Sequence, residues 1–303
     1  MLNRKFSPAV ACSAFFAAAL WAQKTSPAPA PTLQVTSPIV SQFEDGAAIP
    51  AGQKLVPGET VYFRFTAAGF RIGDAGRVQI TGHAQAVDAA GTPIMPPDEV
   101  VIGTSLRDED KGWKPVLRFQ FQIPSIARPG TYHIRFEAVD NQGKDNQAKD
   151  NQAKENQTKQ TATGDHTFEV SGLEVAPSPT LVVRGLHFYR TADDETPLRV
   201  AAYRAGDMVW VRFDLTGYKY GEQNAMDVTY DVAVMAADGK TLFSQPDAAT
   251  ERSQAFYPQP WVPGSFSLTL QPDMAKGQYN VEITARDGVG KQTVKSSAPF
   301  RVD

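Results

Sequence analysis

The chain has 303 residues, a formal net charge of −3 and a hydrophobic content of 42%. This length accommodates two domains of ordinary size, and the apolar content is enough for two separate cores. The slightly acidic balance argues against an electrostatic nucleic-acid binder, which would carry a basic excess or a basic face.

The N-terminus has the pattern of an export signal. Basic residues at 4–5 precede an apolar run at 9–22 that is too short to span a bilayer. Small residues favour cleavage after Ala19 or after Ala22. We therefore predict a signal peptide at 1–22, a periplasmic or extracellular location, and no membrane span in the mature chain.

The single cysteine, Cys12, lies inside this segment. A lipoprotein signal would need a longer apolar run before the cysteine and a residue larger than Ala9 three positions upstream. With ordinary cleavage the mature chain has no cysteine. It would then form no disulfide and carry no thiol nucleophile or thiolate metal ligand.

Beyond the signal, the chain consists of a spacer and two copies of one module. The spacer at 23–31 is rich in proline and is predicted to be extended. We predict modules at 32–175 and 176–303, which we expect to unfold nearly independently because a short linker joins them. Three pairs of stretches carry the repeat: PGETVYFRFTAAGF (57–70) and AGDMVWVRFDLTGY (205–218), DAAGTPI (88–94) and AADGKTL (236–242), PGTYHIRFEAVDNQG (129–143) and KGQYNVEITARDGVG (276–290).

Apolar and polar residues alternate within each module, which is the pattern of half-buried strands. Phe63 and Phe65 flank Arg64 in the first copy, and Phe213 follows Arg212 in the second. We predict that these phenylalanines lie in the core and that the arginines face outward. Roughly seven short strands per module indicate an all-β chain of two tandem antiparallel β-sandwiches.

The stretches PGETVYFRF at 57–65, DAAGTPI at 88–94 and PGTYHIRF at 129–136 resemble the Ig-like sandwich modules of bacterial surface proteins, most closely the macroglobulin type. The resemblance implies an Ig-like fold for both modules, although the second copy replaces the Pro-Gly pairs with Ala205-Gly206 and Lys276-Gly277. It does not imply protease trapping, because the mature chain lacks a thioester cysteine. Such sandwiches serve many functions, so the resemblance concerns the fold.

The first copy contains an insert at 144–158 that reads KDNQA-KDNQA-KENQT. Removing its 15 residues changes the offset between copies from 147 to 132, which aligns Phe168 with Phe300 and Val170 with Val302. We predict a low-complexity loop at the tip of the last hairpin. A calcium-binding loop is the alternative, but the spacing of the acidic residues does not match one.

Catalytic and metal-binding patterns are scarce. His83 and His133 are predicted to face outward on neighbouring strands, where they could form a surface metal pair or lie singly in solvent. The second copy has Asp231 and Asn280 at these positions, which favours the second interpretation. The acidic run at 108–110 is typical of a solvated turn. We predict no catalytic residue, cofactor or metal.

Aromatic residues give the stronger indication of a ligand site. Tyr62 and its equivalent Trp210 are predicted to face outward on strands, and Trp113 and Trp261 lie in corresponding loops. Exposed aromatic rings suit sugar faces and protein anchors, so these four are candidate ligand contacts. The alternative is that they close the ends of the sandwiches or cover a contact between the modules.

We expect an exported, non-enzymatic tandem Ig-like protein that acts as a binding or structural module. The alternative is a carbohydrate-binding accessory protein that uses the exposed aromatics, and an enzyme comes third. The expected ligand is a protein or a polysaccharide, and no nucleic acid is expected.

Overall fold

A computed structural model describes residues 32–110, 112–142 and 159–303. The predicted signal peptide, the spacer at 23–31 and the insert at 144–158 lie outside the described residues. Within the described part the regular structure is β-strand, apart from three short 3-10 turns. No helix in this part is long and apolar enough to cross a bilayer. The all-β class predicted from the alternating pattern is confirmed.

Eight strands, which we call the first half, form two sheets. A three-stranded sheet has the order β1–β3–β6, and a five-stranded sheet has the order β2–β8–β7–β4–β5. Paired strands are antiparallel, except that β2 and β8 pair in parallel over two residues. The strand bounds are β1 Gln34–Ser41, β2 Lys54–Leu55, β3 Thr60–Ala68, β4 Arg77–Val87, β5 Asp98–Ser105, β6 Val116–Gln122, β7 Gly130–Asp140 and β8 Gln160–Val170.

The second half repeats this topology strand for strand. Its sheets have the orders β14–β11–β9 and β10–β16–β15–β12–β13, with a parallel pair between β10 and β16. Adding eight to each label of the first half gives these orders, so the sequence repeat is also a repeat of structure. The bounds are β9 Val182–Tyr189, β10 Ala202–Tyr203, β11 Met208–Thr216, β12 Met226–Ala236, β13 Thr241–Ser253, β14 Val262–Thr269, β15 Gly277–Asp287 and β16 Gln292–Val302.

The two sheets of each half share one core. Phe63 of β3 is 1% exposed, and its ring centroid lies 5.0 Å from that of Phe136 on β7 of the other sheet. In the second half Phe213 is 2% exposed and its ring lies 5.0 Å from that of Tyr230. The period of two therefore sends the predicted phenylalanines inward, and both predictions for these residues are confirmed.

A buried tyrosine near the start of the seventh strand fixes the preceding loop in each half. The hydroxyl of Tyr132 donates to the carbonyl of Arg128 at 2.7 Å, and the hydroxyl of Tyr279 donates to that of Ala275 at 2.6 Å. Both rings are at most 7% exposed. A buried hydroxyl needs such a partner, so each ring also holds the loop beside it.

The last hairpin closes in the same way in both halves. The Gln160 side-chain oxygen accepts the N–H of Leu33 at 2.7 Å, and that of Gln292 accepts the N–H of Leu181 at 2.9 Å. The two glutamines differ by 132 positions, the offset obtained when the insert is removed. The structure thus makes Gln160 and Gln292 equivalent, as the offset between the two copies of the sequence does.

The antiparallel order gathers the loops of each half at two ends. The end at which the chain enters the first strand of a half is called its leading end. The opposite end, at which the chain leaves the last strand, is called its trailing end. In the first half the β3–β4 and β5–β6 connections lie at the leading end, and the β4–β5 and β6–β7 connections at the trailing end. The second half has the same arrangement with β11–β12 and β13–β14 leading, and β12–β13 and β14–β15 trailing.

Candidate functional site

A groove of about 580 Å³ lies on the outer surface of the five-stranded sheet of the first half. Alternation turns the polar residues of its three central strands outward, while residues such as Ala84 and Phe136 turn inward. Strand pairing arranges the polar side chains in two rows across β4, β7 and β8. We call this site the face groove; one row is His83, Glu137 and Thr163, and the other is Gln85, Arg135 and Asp165.

The face groove contains charges that are not neutralised within it. His133 donates from Nδ1 to Asp165 Oδ1 at 2.8 Å, and His83 Nδ1 lies 3.7 Å from Glu99 Oε2. The side chains of Arg135 and Glu137, by contrast, form no hydrogen bond or ion pair with any residue that the structure describes. A guanidinium and a carboxylate thus stand two positions apart on β7. Together they can bind a polar ligand through charge-assisted hydrogen bonds.

The two histidines do not form the metal pair considered from the sequence. Strand pairing places His83 opposite Glu137, whereas His133 lies opposite Val87, four residues further along β4. Among the described residues no group of three histidine, cysteine, aspartate or glutamate side chains could hold a metal ion. Both residues face outward, as the alternation predicted.

The four candidate aromatics do not converge on one surface. Tyr62 and Trp210 are half-buried on β3 and β11, in the three-stranded sheets of different halves. Trp113 is 36% exposed at the leading end of the first half. Trp261 is only 6% exposed, so its proposed ligand contact is corrected: a buried indole cannot offer its face to a ligand. Its burial fits the alternative in which it closes an end.

Tyr257 joins the two halves. It lies in the β13–β14 connection of the second half, yet it is 8% exposed and belongs to the buried cluster of the first half. Its hydroxyl donates to Asp88 Oδ2 at 3.0 Å, in the β4–β5 connection of the first half. The other carboxylate oxygen of Asp88 accepts the N–H groups of Ala90 and Thr92. A side chain of the second half therefore completes the core of the first.

The tyrosines around this junction are held in the neutral form. Burial raises the pKa of Tyr132 to about 12, and the negative charge of Asp88 acts in the same direction. Burial, again with Asp88, raises the pKa of Tyr257 above its ordinary range, and burial does the same for Tyr218. These hydroxyls therefore act as hydrogen-bond donors, and Tyr218 donates to the carbonyl of Gln259 at 2.5 Å.

Sequence reasoning missed Tyr257, although it lies in the stretch FYPQPW at 256–261, the same loop as the candidate Trp261. The available signal was the presence of three aromatic residues in one loop, which indicates that some of them are buried. It did not say which ring is buried, because a loop has no period that assigns its residues to a face.

Comparisons with known proteins give no family. No protein-family model and no curated protein matches the chain. A solved C-terminal domain of the Streptococcus agalactiae antigen I/II polypeptide BspA is 10% identical, with 88% of this chain and 100% of that chain covered and a TM-score of 0.29. The C-terminal domain of the Streptococcus pyogenes antigen I/II-family protein AspA is 11% identical, with 90% and 100% covered and a TM-score of 0.29.

A family 123 glycoside hydrolase from Clostridium perfringens is also among the similar structures, at 11% identity and a TM-score of 0.29. The match covers 41% of this chain and 27% of the hydrolase, so this chain spans a small part of that enzyme's length. Values this low assign neither a family nor an activity, and the functional argument rests on the residues themselves.

Proposed function

We propose that the chain is an exported, non-enzymatic binding protein made of two tandem Ig-like β-sandwiches, with modules at 32–175 and 176–303. The uncompensated pair of Arg135 and Glu137 in the face groove is the observation that carries the binding role. Pairing of β7 with β4 and β8 fixes the backbone positions from which both side chains extend.

The Ig-like assignment is supported by strand order and by the buried tyrosines. A three-stranded sheet facing a five-stranded one, with the first short strand parallel to the last, is compatible with an Ig-like sandwich. The hydrogen bonds of Tyr132 and Tyr279 to carbonyls four residues upstream match the tyrosine corner of such domains. Export is supported by the basic residues and apolar run at the N-terminus.

The chemistry of the face groove suggests a polar ligand that carries both charge and hydrogen-bonding groups. Arg135 can donate to a carboxylate or hydroxyl, while Glu137 can accept from an ammonium group or hydroxyl. A peptide segment or a polysaccharide offers these groups. The polar groove is favoured over the scattered aromatics as the contact surface, because Trp261 is buried and the other three rings lie on separate elements.

The test is an array of glycans and peptides probed with the purified chain, followed by titration of a retained ligand against variants. Arg135→Ala and Glu137→Gln should each weaken binding about tenfold or more, since a hydrogen bond to a charged group contributes about 1.5–3 kcal/mol. Arg252→Ala is the matched control, because Arg252 lies on β13 of the other half, where it pairs with Asp227. It should bind as the wild type does.

Two results would overturn the proposal. Either no array ligand is retained, or Arg135→Ala and Glu137→Gln bind as tightly as the wild type and the control. Chemical turnover of a retained ligand would replace the binding role with an enzymatic one.

A further inference from the structure

The junction between the halves is a contact between unlike ends, since the trailing end of the first half meets the leading end of the second. Tyr257 supplies its buried anchor. Because the halves are copies, the molecule has two further ends of the same types. These are the leading end of the first half and the trailing end of the second. They differ from the junction at its anchor, because the first-half loop corresponding to that of Tyr257 carries the acidic residues 108–110, and Ala236 stands at the position of Asp88.

The leading end of the first half carries apolar side chains in the corresponding places. Phe70 and Ile72 are equivalent to the junction residues Tyr218 and Tyr220, and Trp113 lies in the loop that corresponds to that of Trp261. The ring of Phe70 packs edge-on against Trp113 at 6.0 Å. Trp113 is 36% exposed and Ile72 is 58% exposed, whereas Trp261 in the second half is 6% exposed. We call this surface, made of Phe70, Ile72 and Trp113, the aromatic head.

The trailing end of the second half carries an apolar groove of about 580 Å³. Its position matches the part of the first half that contacts Tyr257, because Tyr279 and Ala275 are equivalent to Tyr132 and Arg128. We call this site the end groove; its apolar lining includes Val234, Leu242, Phe243, Leu268, Met274 and Tyr279.

The two trailing ends differ in what covers them. In the first half Ile94 and Met95 are 6% and 8% exposed and belong to the buried cluster that Tyr257 completes. Their equivalents Leu242 and Phe243 are 47% and 44% exposed. The apolar side chains are kept in the second half, but the described residues provide no cover for them.

We propose that the end groove binds the aromatic head of a second copy of this chain, so that molecules associate head to tail. The internal junction already shows that a trailing end accepts an aromatic leading end. Acidic residues at 108–110 flank the head, where Glu109 pairs with Arg107, and the exposed Lys240 and Lys276 flank the groove, whose lining includes Asp273. The proposal goes beyond the binding function and does not involve the face groove.

The contact joins two different surfaces, so each molecule keeps one free head and one free groove after pairing. A contact of this kind extends into an open linear assembly unless the rotation between copies closes a ring. A single patch of this size makes a weak interface, so the extent of association should depend on concentration.

The experiment is sedimentation velocity of the purified chain from about 1 µM to about 1 mM, a range that covers weak contacts. The wild type should exceed the mass of a dimer as concentration rises. Trp113→Asp, which destroys the head, and Phe243→Asp, which destroys the groove, should each stay monomeric alone. Mixed together they should form a one-to-one dimer, because each supplies the surface that the other lacks.

Phe43→Asp is the matched control, since Phe43 is 73% exposed in the β1–β2 connection, outside both surfaces. It should associate as the wild type does. Ile72→Asp and Leu242→Asp, also at exposed positions, form a second pair for use if either aromatic variant fails to fold. A monomeric wild type over the whole range would overturn the proposal, as would variants that associate alone or a mixture that stays monomeric. Ligand binding at the face groove, measured on the same variants, separates this outcome from a failure of the binding function.

Discussion

Tyr257 reaches from one half of the chain into the core of the other, so its removal reports on the junction. We expect Tyr257→Ala to lower the free energy of unfolding of the first half by about 3–5 kcal/mol, as truncation of a buried ring does. Tyr257→Phe should cost about 1 kcal/mol, because it removes only the hydrogen bond to Asp88. Chemical denaturation followed by tryptophan fluorescence measures this, with Trp210 and Trp261 replaced by phenylalanine so that Trp113 reports on the first half.

The neighbouring Phe256 is the control for that experiment, since its side chain is 49% exposed. Phe256→Ala should change the stability by no more than about 0.5 kcal/mol. If Tyr257→Ala left the first half as stable as this control, the buried contact would not contribute to its core.

Arg212 and Phe213 are neighbours that face opposite sides of β11, and their roles differ accordingly. Phe213→Ala should cost about 3–5 kcal/mol. The outward direction of Arg212 would by itself imply a small cost for Arg212→Ala, but the guanidinium donates to the carbonyls of Asp194 and Ala192 and lies 4.4 Å from the ring of Tyr189. We therefore expect about 1–2 kcal/mol. Urea denaturation of both variants checks this; equal costs would contradict the strand register.

His166 gives the stability a defined pH dependence. Its ring lies half-buried against Phe63, at 6.2 Å, and burial lowers its pKa while Asp165 opposes the shift. The unfolded chain therefore takes up this proton at higher pH than the folded chain. The contribution of the neutral imidazole to the free energy of unfolding is complete above pH about 6.5, the ordinary pKa of histidine. It is lost as the pH falls toward and through the lowered pKa of the folded state.

His166→Gln should reduce this loss of stability below pH about 6.5. Denaturation at several pH values compares the variant with the wild type and with His83→Gln, whose side chain is on the outer face. If the free energy of unfolding of the His166 variant fell with pH as steeply as that of the wild type, the imidazole would have the same pKa in the folded and unfolded chains.

At the scale of elements, the last hairpin of the first half should tolerate loss of its insert. The bond from Leu33 to Gln160 has its counterpart from Leu181 to Gln292 in a hairpin without the insert. Deleting 144–158 should change the free energy of unfolding by less than about 2 kcal/mol, because loop-closure entropy varies slowly with length. Denaturation of the deletion variant tests this; a larger loss would mean that the insert makes stabilising contacts.

Strands were predictable where alternation is regular, and sites were not. The period of two identified Phe63 and Phe213 as core residues because each face of a sheet has one environment. The face groove depends on the register among β4, β7 and β8, which are far apart in sequence. Alternation assigns a residue to a face but does not say which residue lies opposite, so the juxtaposition of Arg135 and Asp165 could not be derived.

The short strands β2 and β10 escaped prediction for a related reason. Two residues are too few to show a period, and their pairing with β8 and β16 joins the beginning of each half to its end. The end groove was also invisible from sequence, since Leu242 and Phe243 look as apolar as their equivalents Ile94 and Met95. Only the structure shows that one pair is covered and the other is open.

At the scale of the whole molecule, the halves form one compact unit from Thr32 to Asp303. The expectation of independent unfolding came from the short linker alone and did not include Tyr257. With that side chain shared, we expect unfolding of the second half to lower the stability of the first.

The export signal gives a prediction about the complete chain. Protein recovered after export should begin at Leu20 or at Gln23, because cleavage follows Ala19 or Ala22. N-terminal sequencing of that protein measures the cleavage site, and a chain that still begins at Met1 would refute the export argument.

The chain enters each half at its leading end and leaves at its trailing end, on strands that run in the same direction. Tension applied to the two termini would therefore act along the strand axes. Ladder hydrogen bonds lie across that direction, so neighbouring bonds would resist in shear as a group and would not open one after another. Because the halves follow each other in series, the same force would pass through both, and the two-residue pairs β2–β8 and β10–β16 would bear part of it directly.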